Sequence, residues 1–189
     1  QELQERLDFL NFCTTNAPLS LDQQQLDVLW ECGVVNPCCP QEEDQVFRWL
    51  EQARMQSSHA LCEEATRHLF TRAASLPLER LSPIAYSCLE YFFRWINWKD
   101  HAFIQQDANS FSVLGLPLVG AGTLWQVALR ARNQQVGKHV VSLLTQLHHS
   151  LSPQLAERHA QQRREFVGKC MASLGEAAQQ LRALEASGG

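Results

Sequence analysis

The chain has 189 residues, 45% of them hydrophobic, and a formal net charge of −4. That is enough chain for one domain with its own core, and too apolar for a disordered segment. No uninterrupted apolar run approaches the ~18 residues of a membrane-spanning helix.

Residues 2–15 predict the first helix, with Leu3, Leu7, Leu10 and Asn11 on one side and Arg6, Phe9 and Cys13 beside them. Pro18 ends it, because the residue before a proline avoids the helical region. Asp22 is an N-cap for a second helix over 22–33, whose apolar side is Leu26, Leu29, Trp30 and Cys32. Gly33 suits its C-terminus. Two prolines make VVNPCCP at 34–40 a loop. The acidic run Glu42-Glu43-Asp44 then favours a helix start, and a third helix over 41–56 turns Val46, Phe47, Trp49, Leu50 and Ala53 inward. A fourth helix over 59–73 rests on Leu61, Cys62, Ala65, Leu69 and Phe70.

Ser82-Pro83 is a helix start, with serine at the cap and proline at the first helical position. The segment SPIAYSCLEYFFRWINWK is the most apolar in the chain. A helix apolar nearly all round is central. Residues 99–122 are the least regular. Asn109 to Gly122 mixes serine, glycine and proline with Phe111, Val113, Leu114, Leu116, Leu118 and Val119. The expectation there is a loop leading into a short helical turn, in preference to a strand.

From Gly122 to Leu151 two periodic sets follow. Leu124, Val127, Ala128 and Ala131 share one helical face, and Val136, Val140, Leu143, Leu144 and Leu147 share another. Asn133 between them caps the second helix, so the two form an antiparallel pair. Ser152-Pro153 opens a last pattern over 153–186, with Leu155, His159, Phe166, Cys170, Leu174, Ala177, Leu181 and Leu184 at helical steps. It reads as one long helix or as two with a bend near Gly168 or Gly175, and a coiled-coil seam is the rival reading. The predicted fold is all-α, a segment of seven to eight helices stacked side by side as in an armadillo/HEAT-like α-solenoid.

The charge is uneven. Residues 1–64 carry 12 acidic against 3 basic side chains, and residues 65–189 carry 8 against 13. No basic run is dense enough to follow phosphates, so nucleic acid is not an expected partner. The seven cysteines are odd in number and irregular in spacing, which fits reduced thiols in a cytosolic or nuclear protein. No cysteine sits in a nucleophile context such as a glycine-rich turn into a helix. Cys32, Cys38, Cys39, His59 and Cys62 lack paired metal-ligand spacing, and His148-His149 point apart on a helix. No phosphate-binding glycine loop is present. Glu42-Glu43 and Glu63-Glu64 read as solvated helix surface. The expectation is therefore no catalytic residue, no cofactor and no metal. The candidate protein-interaction residues are Trp98, Arg130, Arg132, Lys138, His139 and Gln146, on the helix 134–151 and near it. The expected partners are proteins, with no membrane and no small-molecule substrate.

The segments QERLDFLNF at 4–12, QQLDVLWEC at 24–32, DQVFRWLEQ at 44–52, CLEYFFRWIN at 88–97 and GTLWQVALRARNQQVGKHVVSLLTQLHHSLSPQL at 122–155 come in an order that is suggestive. Together they resemble the helical region N-terminal to the catalytic domain of the very large fat-facets-type ubiquitin-specific proteases. The resemblance covers most of the chain and rests on helix order and apolar pattern. It departs at 99–122. It implies a parent cysteine deubiquitinase of the cytosol, and also of the nucleus, with this segment in its α-solenoid. The cysteine and histidine boxes of the protease fold are not in this sequence, so no catalytic role is carried over. The ends of the chain give the expectation of one segment, 1–189, excised from a longer protein, with 187–189 as a flexible tail. Substrates, regulators and flanking repeats would be its partners.

Two other readings stand beside this one. A stand-alone helical adaptor would hold an amphipathic partner helix in one contiguous apolar patch away from both chain ends. A small all-helical enzyme is the third. A solenoid slice instead places its exposed apolar faces at its two ends.

Overall fold

The computed structural model describes residues 2–16, 19–56, 61–105, 110–187. Its helices are α1 (Glu2–Asn16), α2 (Gln23–Trp30), α3 (Pro40–Gln56), α4 (Glu63–Ala74), α5 (Pro83–Lys99), α6 (Ala121–Arg130), α7 (Gln134–His149) and α8 (Ala156–Ser187). A π-helical turn (Glu31–Val35) extends α2, and short 3-10 turns lie at Leu78–Arg80 and Pro153–Leu155. No helix among the described residues is long and apolar enough to cross a membrane.

The helix starts follow local chemistry. The Asp22 carboxylate accepts the Gln25 N–H at 2.8 Å, and the Gln25 side chain accepts the Asp22 N–H at 3.1 Å, a reciprocal cap. Ser82 Oγ accepts the Ala85 N–H and donates to Asp44 at 2.6 Å, which ties the start of α5 to α3. Asn133 Oδ1 accepts the N–H groups of Gln135 and Val136. Cys62, expected on the inward face of a helix from 59, is instead exposed and caps α4, its Sγ accepting from Ala65. His59 lies outside the described residues.

The helices form two rows. In the first, α1 packs on α3, α3 on α5 and α5 on α7. In the second, α2 packs on α4, while α6 lies against α7 and the 3-10 turn at 78–80. The apolar positions expected on α3 and α7 are all buried. On α5, Ala85, Tyr86, Cys88, Leu89, Phe92, Phe93, Ile96 and Asn97 are buried, and its neighbours are α3, α4, α7 and a strand.

That strand corrects the expectation for 99–122. Phe103–Gln105 (β1) and Phe111–Val113 (β2) pair antiparallel, with Phe103 opposite Val113. The cause is burial. Phe103, Phe111 and Val113 face inward, with Phe103 4.9 Å from Phe111 and 5.8 Å from Phe93 of α5, ring centre to ring centre. Val113 also pairs with the chain after α7, donating to Ser150 O and accepting from Ser152 N. Asn109, the first residue of the part noted for mixed serine, glycine and proline, lies outside the described residues. Farther along, buried Asn97 holds Val119 at both backbone groups, at 3.0 and 2.9 Å. Gly120 then takes φ +80, and a Cβ there would meet the Phe70 ring at 2.3 Å. The position requires glycine on both counts.

One further expectation needs correction, and one open alternative is resolved. Gly33 does not end a helix but sits inside the π-helical turn, where it lets α3 approach. The last pattern is a 3-10 turn followed by one helix, unbroken at Gly168 and Gly175. Only its first half is seated. Phe166 and Cys170 are half-buried, but Leu174 is 65% exposed.

A Cβ on Gly33 would lie 2.5 Å from Val46 Cγ2, whereas one on Gly137 meets nothing within 4 Å. Gly33→Ala should therefore cost about 1–3 kcal/mol in urea unfolding, and Gly137→Ala should be neutral or stabilising by up to about 1 kcal/mol.

Candidate interaction surface

Successive members of the first row leave a groove of about 400 Å³ on their outer side. Arg48 and Glu51 on α3, Ser87 and Glu90 on α5, and Gln135 and His139 on α7 line it. Each pair is three or four residues apart, so each projects from one face of its helix. Ser87 Oγ donates to Glu51 at 3.3 Å, and Arg94 Nε donates to Glu90 at 2.8 Å. Beneath the groove lies the Tyr86 ring, with its hydroxyl buried. Burial, with Glu90 beside it, holds that phenol far above the ordinary tyrosine range.

Cys88, also on α5, is fully buried, and burial pushes its thiol up, away from the thiolate a nucleophile needs. The groove offers carboxylates, a guanidinium, an imidazole and amide groups on rigid helices. That set suits polar side chains and backbone of another protein.

Of the residues expected to form one surface, the structure brings only His139 into this groove. Lys138 is exposed on α7 next to it, and Gln146 is half-buried two turns on. Arg130 and Arg132 sit at the 3-10 turn instead. The Arg130 guanidinium is 3.9 Å from Glu79, and the Arg132 N–H donates to the Glu79 carbonyl at 3.3 Å. Trp98 is 49% exposed at the end of α5, with Lys99 Nζ 5.4 Å from its ring centre. The six residues thus fall in separate places. Sequence reasoning missed Arg48, Glu51, Ser87, Glu90 and Gln135. Their signal, polar pairs at helical spacing, is present on any solvated helix.

A second cavity, of about 380 Å³, lies between the 116–118 loop, Trp125 of α6, His148 of α7, and Glu165 and Lys169 of α8. Phe166 closes it, 4.0 Å from the His148 ring and 5.4 Å from Trp125, centre to centre. The free thiols of Cys32, Cys38 and Cys62 are exposed, and that of Cys39 is half-buried. Among the described residues no three His, Cys, Asp or Glu side chains cluster as metal ligands do.

Comparison with known proteins places this architecture. The family described as the UBP24/USP9X/USP9Y ARM repeat matches residues 1–97, just over half of the chain. The chain belongs to this ARM-repeat family. Its fold is accordingly an armadillo-like all-α array, here with a small hairpin inserted after α5. Ubiquitin carboxyl-terminal hydrolase 9Y of Homo sapiens is 25% identical over 90% of the chain, which covers 7% of that protein. The probable ubiquitin carboxyl-terminal hydrolase FAF of Drosophila melanogaster is 25% identical over 92% of the chain and 6% of its own length. The Drosophila hydrolase puf is 31% identical over 95% of the chain and 4% of its own length. The ARM-repeat chain therefore spans only a small part of the curated relatives it matches.

Within this array, the seat of α8 should respond to pH. Burial first, then the charges of Lys169 and His149, lower the His148 pKa below its ordinary 6.5. Glu165 borders the same cavity. With α8 undocked, His148 regains the ordinary value, so the undocked form takes up the proton first. Docking is unaffected well above pH 6.5 and weakens as pH falls through it. Backbone amide shifts of 163–173 should move toward free-helix values on acidification, and should stay put in His148→Phe.

Proposed function

We propose that this chain is a non-catalytic, protein-binding segment of a large cysteine deubiquitinase, one that helps recruit substrates or regulators for ubiquitin removal. The observation that carries this reading is the ARM-repeat match over residues 1–97; exposed apolar side chains on the outermost helices support it, although others, such as Val28, Leu129 and Val141, are exposed between them. Phe9 and Phe12 on α1 are 64% and 63% exposed, and Val167, Met171 and Leu174 on α8 are 56–65% exposed. These are the first and last helices of the array. Faces open at both ends are what helices expecting further repeats present. The groove across α3, α5 and α7 is lined mainly by charged and polar side chains, unlike the apolar groove that an amphipathic partner helix needs.

The names of the relatives, ubiquitin carboxyl-terminal hydrolases, and the ARM-repeat match support this reading. All seven cysteines are free, which fits action in the reducing cytoplasm and nucleus. The groove of α3, α5 and α7 is the surface we assign to recruitment.

The purified chain should release no fluorophore from a ubiquitin–fluorophore conjugate. Turnover that vanished on replacing one cysteine would contradict the proposal. Proteins captured from cell extract by the wild-type chain should be retained at least about fivefold less by Glu51→Lys/His139→Glu, a loss of about 1 kcal/mol. Equal capture by both would remove the groove from the proposal.

A further inference from the structure

We propose that the recess between the π-helical turn and the end of α4 binds a protein segment presenting an aliphatic side chain next to a lysine or arginine. The recess measures about 610 Å³, inside the range of about 300–1,000 Å³ typical of binding pockets. Trp30, Val34, Leu76 and Leu81 give it an apolar floor, and Val35, 48% exposed, stands at its lip. The wall that carries Val34 and Val35 is the π-helical turn, a geometry concentrated at functional positions.

Charge selects the partner. Four charged side chains, Glu31, Glu43, Arg72 and Arg80, line the recess, and they differ in whether they have a partner. Arg72 is engaged by Glu31 and lies over the Trp30 ring at 5.9 Å. Arg80 and Glu43 make no ion pair among the described residues. Arg80 is exposed and already hydrated, so a partner's carboxylate gains little there. Glu43 is half-buried, has lost part of its water, and has Asp44 as its neighbour. A cation brought to it restores what burial took away. Burial first, then Asp44, already pushes the Glu43 carboxyl up, as expected of a carboxylate short of a counter-charge.

The recess is formed by residues 30–43 and 72–81. None of these lies on α1 or α8, so the open ends of the array do not account for it. It is also distinct from the groove assigned to recruitment, and so adds a second partner site of defined chemistry.

The test uses the whole chain, ¹⁵N-labelled, titrated with the peptide acetyl-Gly-Leu-Arg-Leu-Gly-amide and with its counterpart carrying glutamate for arginine. The arginine peptide should move the amides of 31–36 and 76–81, and the glutamate peptide should not. Affinity should fall at least about fivefold in Glu43→Gln, fall likewise in Val35→Ser, and stay unchanged in Glu51→Gln, which alters only the other groove. The proposal is overturned by no shifts, by shifts confined to the α3/α5/α7 groove, or by equal binding of the glutamate peptide. It is equally overturned if a natively folded Glu43→Gln or Val35→Ser keeps full affinity.

Discussion

The fold depends on the burial of α5. Phe92, Phe93, Leu89, Ile96 and Cys88 are essentially inaccessible, and they recur at helical spacing along one broad face, which Tyr86 and Asn97 widen. Each buried phenylalanine or leucine contributes on the order of 1.5–3 kcal/mol before conformational entropy is set against it. No single neighbour can cover such a helix. So α3, α4, the hairpin (through Phe93 and Phe103) and α7 share that face. The second row and the long final helix attach to what α5 has already organised. Asn97 extends this role beyond packing, since its side chain fixes the backbone at Val119 from which α6 begins.

This physics explains which parts were legible in the sequence. Helix α7 was legible because its apolar stripe, Val136 to Leu147, stands against a mostly polar opposite face, with Val141 the exposed exception. The starts at Asp22, Ser82 and Asn133 were legible because a capping side chain acts within three residues. The hairpin was not. Three-residue strands are too short to show alternation, and what makes Phe103 and Phe111 extended is the distant ring of Phe93. Helix α8 was legible as a helix, yet its stripe could not reveal that Leu174 would find no neighbour. Periodicity reports a face and is silent on what covers it.

The candidate surface was legible only in part, for a similar reason. His139 was found, but its companions Arg48, Glu51 and Glu90 come from two other helices. Their proximity follows from the stacking of α3, α5 and α7, which the local pattern does not encode. The resemblance in helix order did foretell the ARM-repeat family, because order and spacing persist where individual residues have changed. What emerges is a division of labour along the array. A buried apolar centre holds polar side chains on its flank, while apolar side chains stay exposed on α1 and α8 and at scattered positions between them.

Native-state hydrogen exchange tests that division most directly. With α5 as the centre, its amides from Ala85 to Asn97 should exchange only through global unfolding, and those of 174–187 in α8 should exchange through local opening at least about 2 kcal/mol less costly. Protection of α8 equal to that of α5, or exchange of α5 by local opening, would contradict a structure organised around that helix.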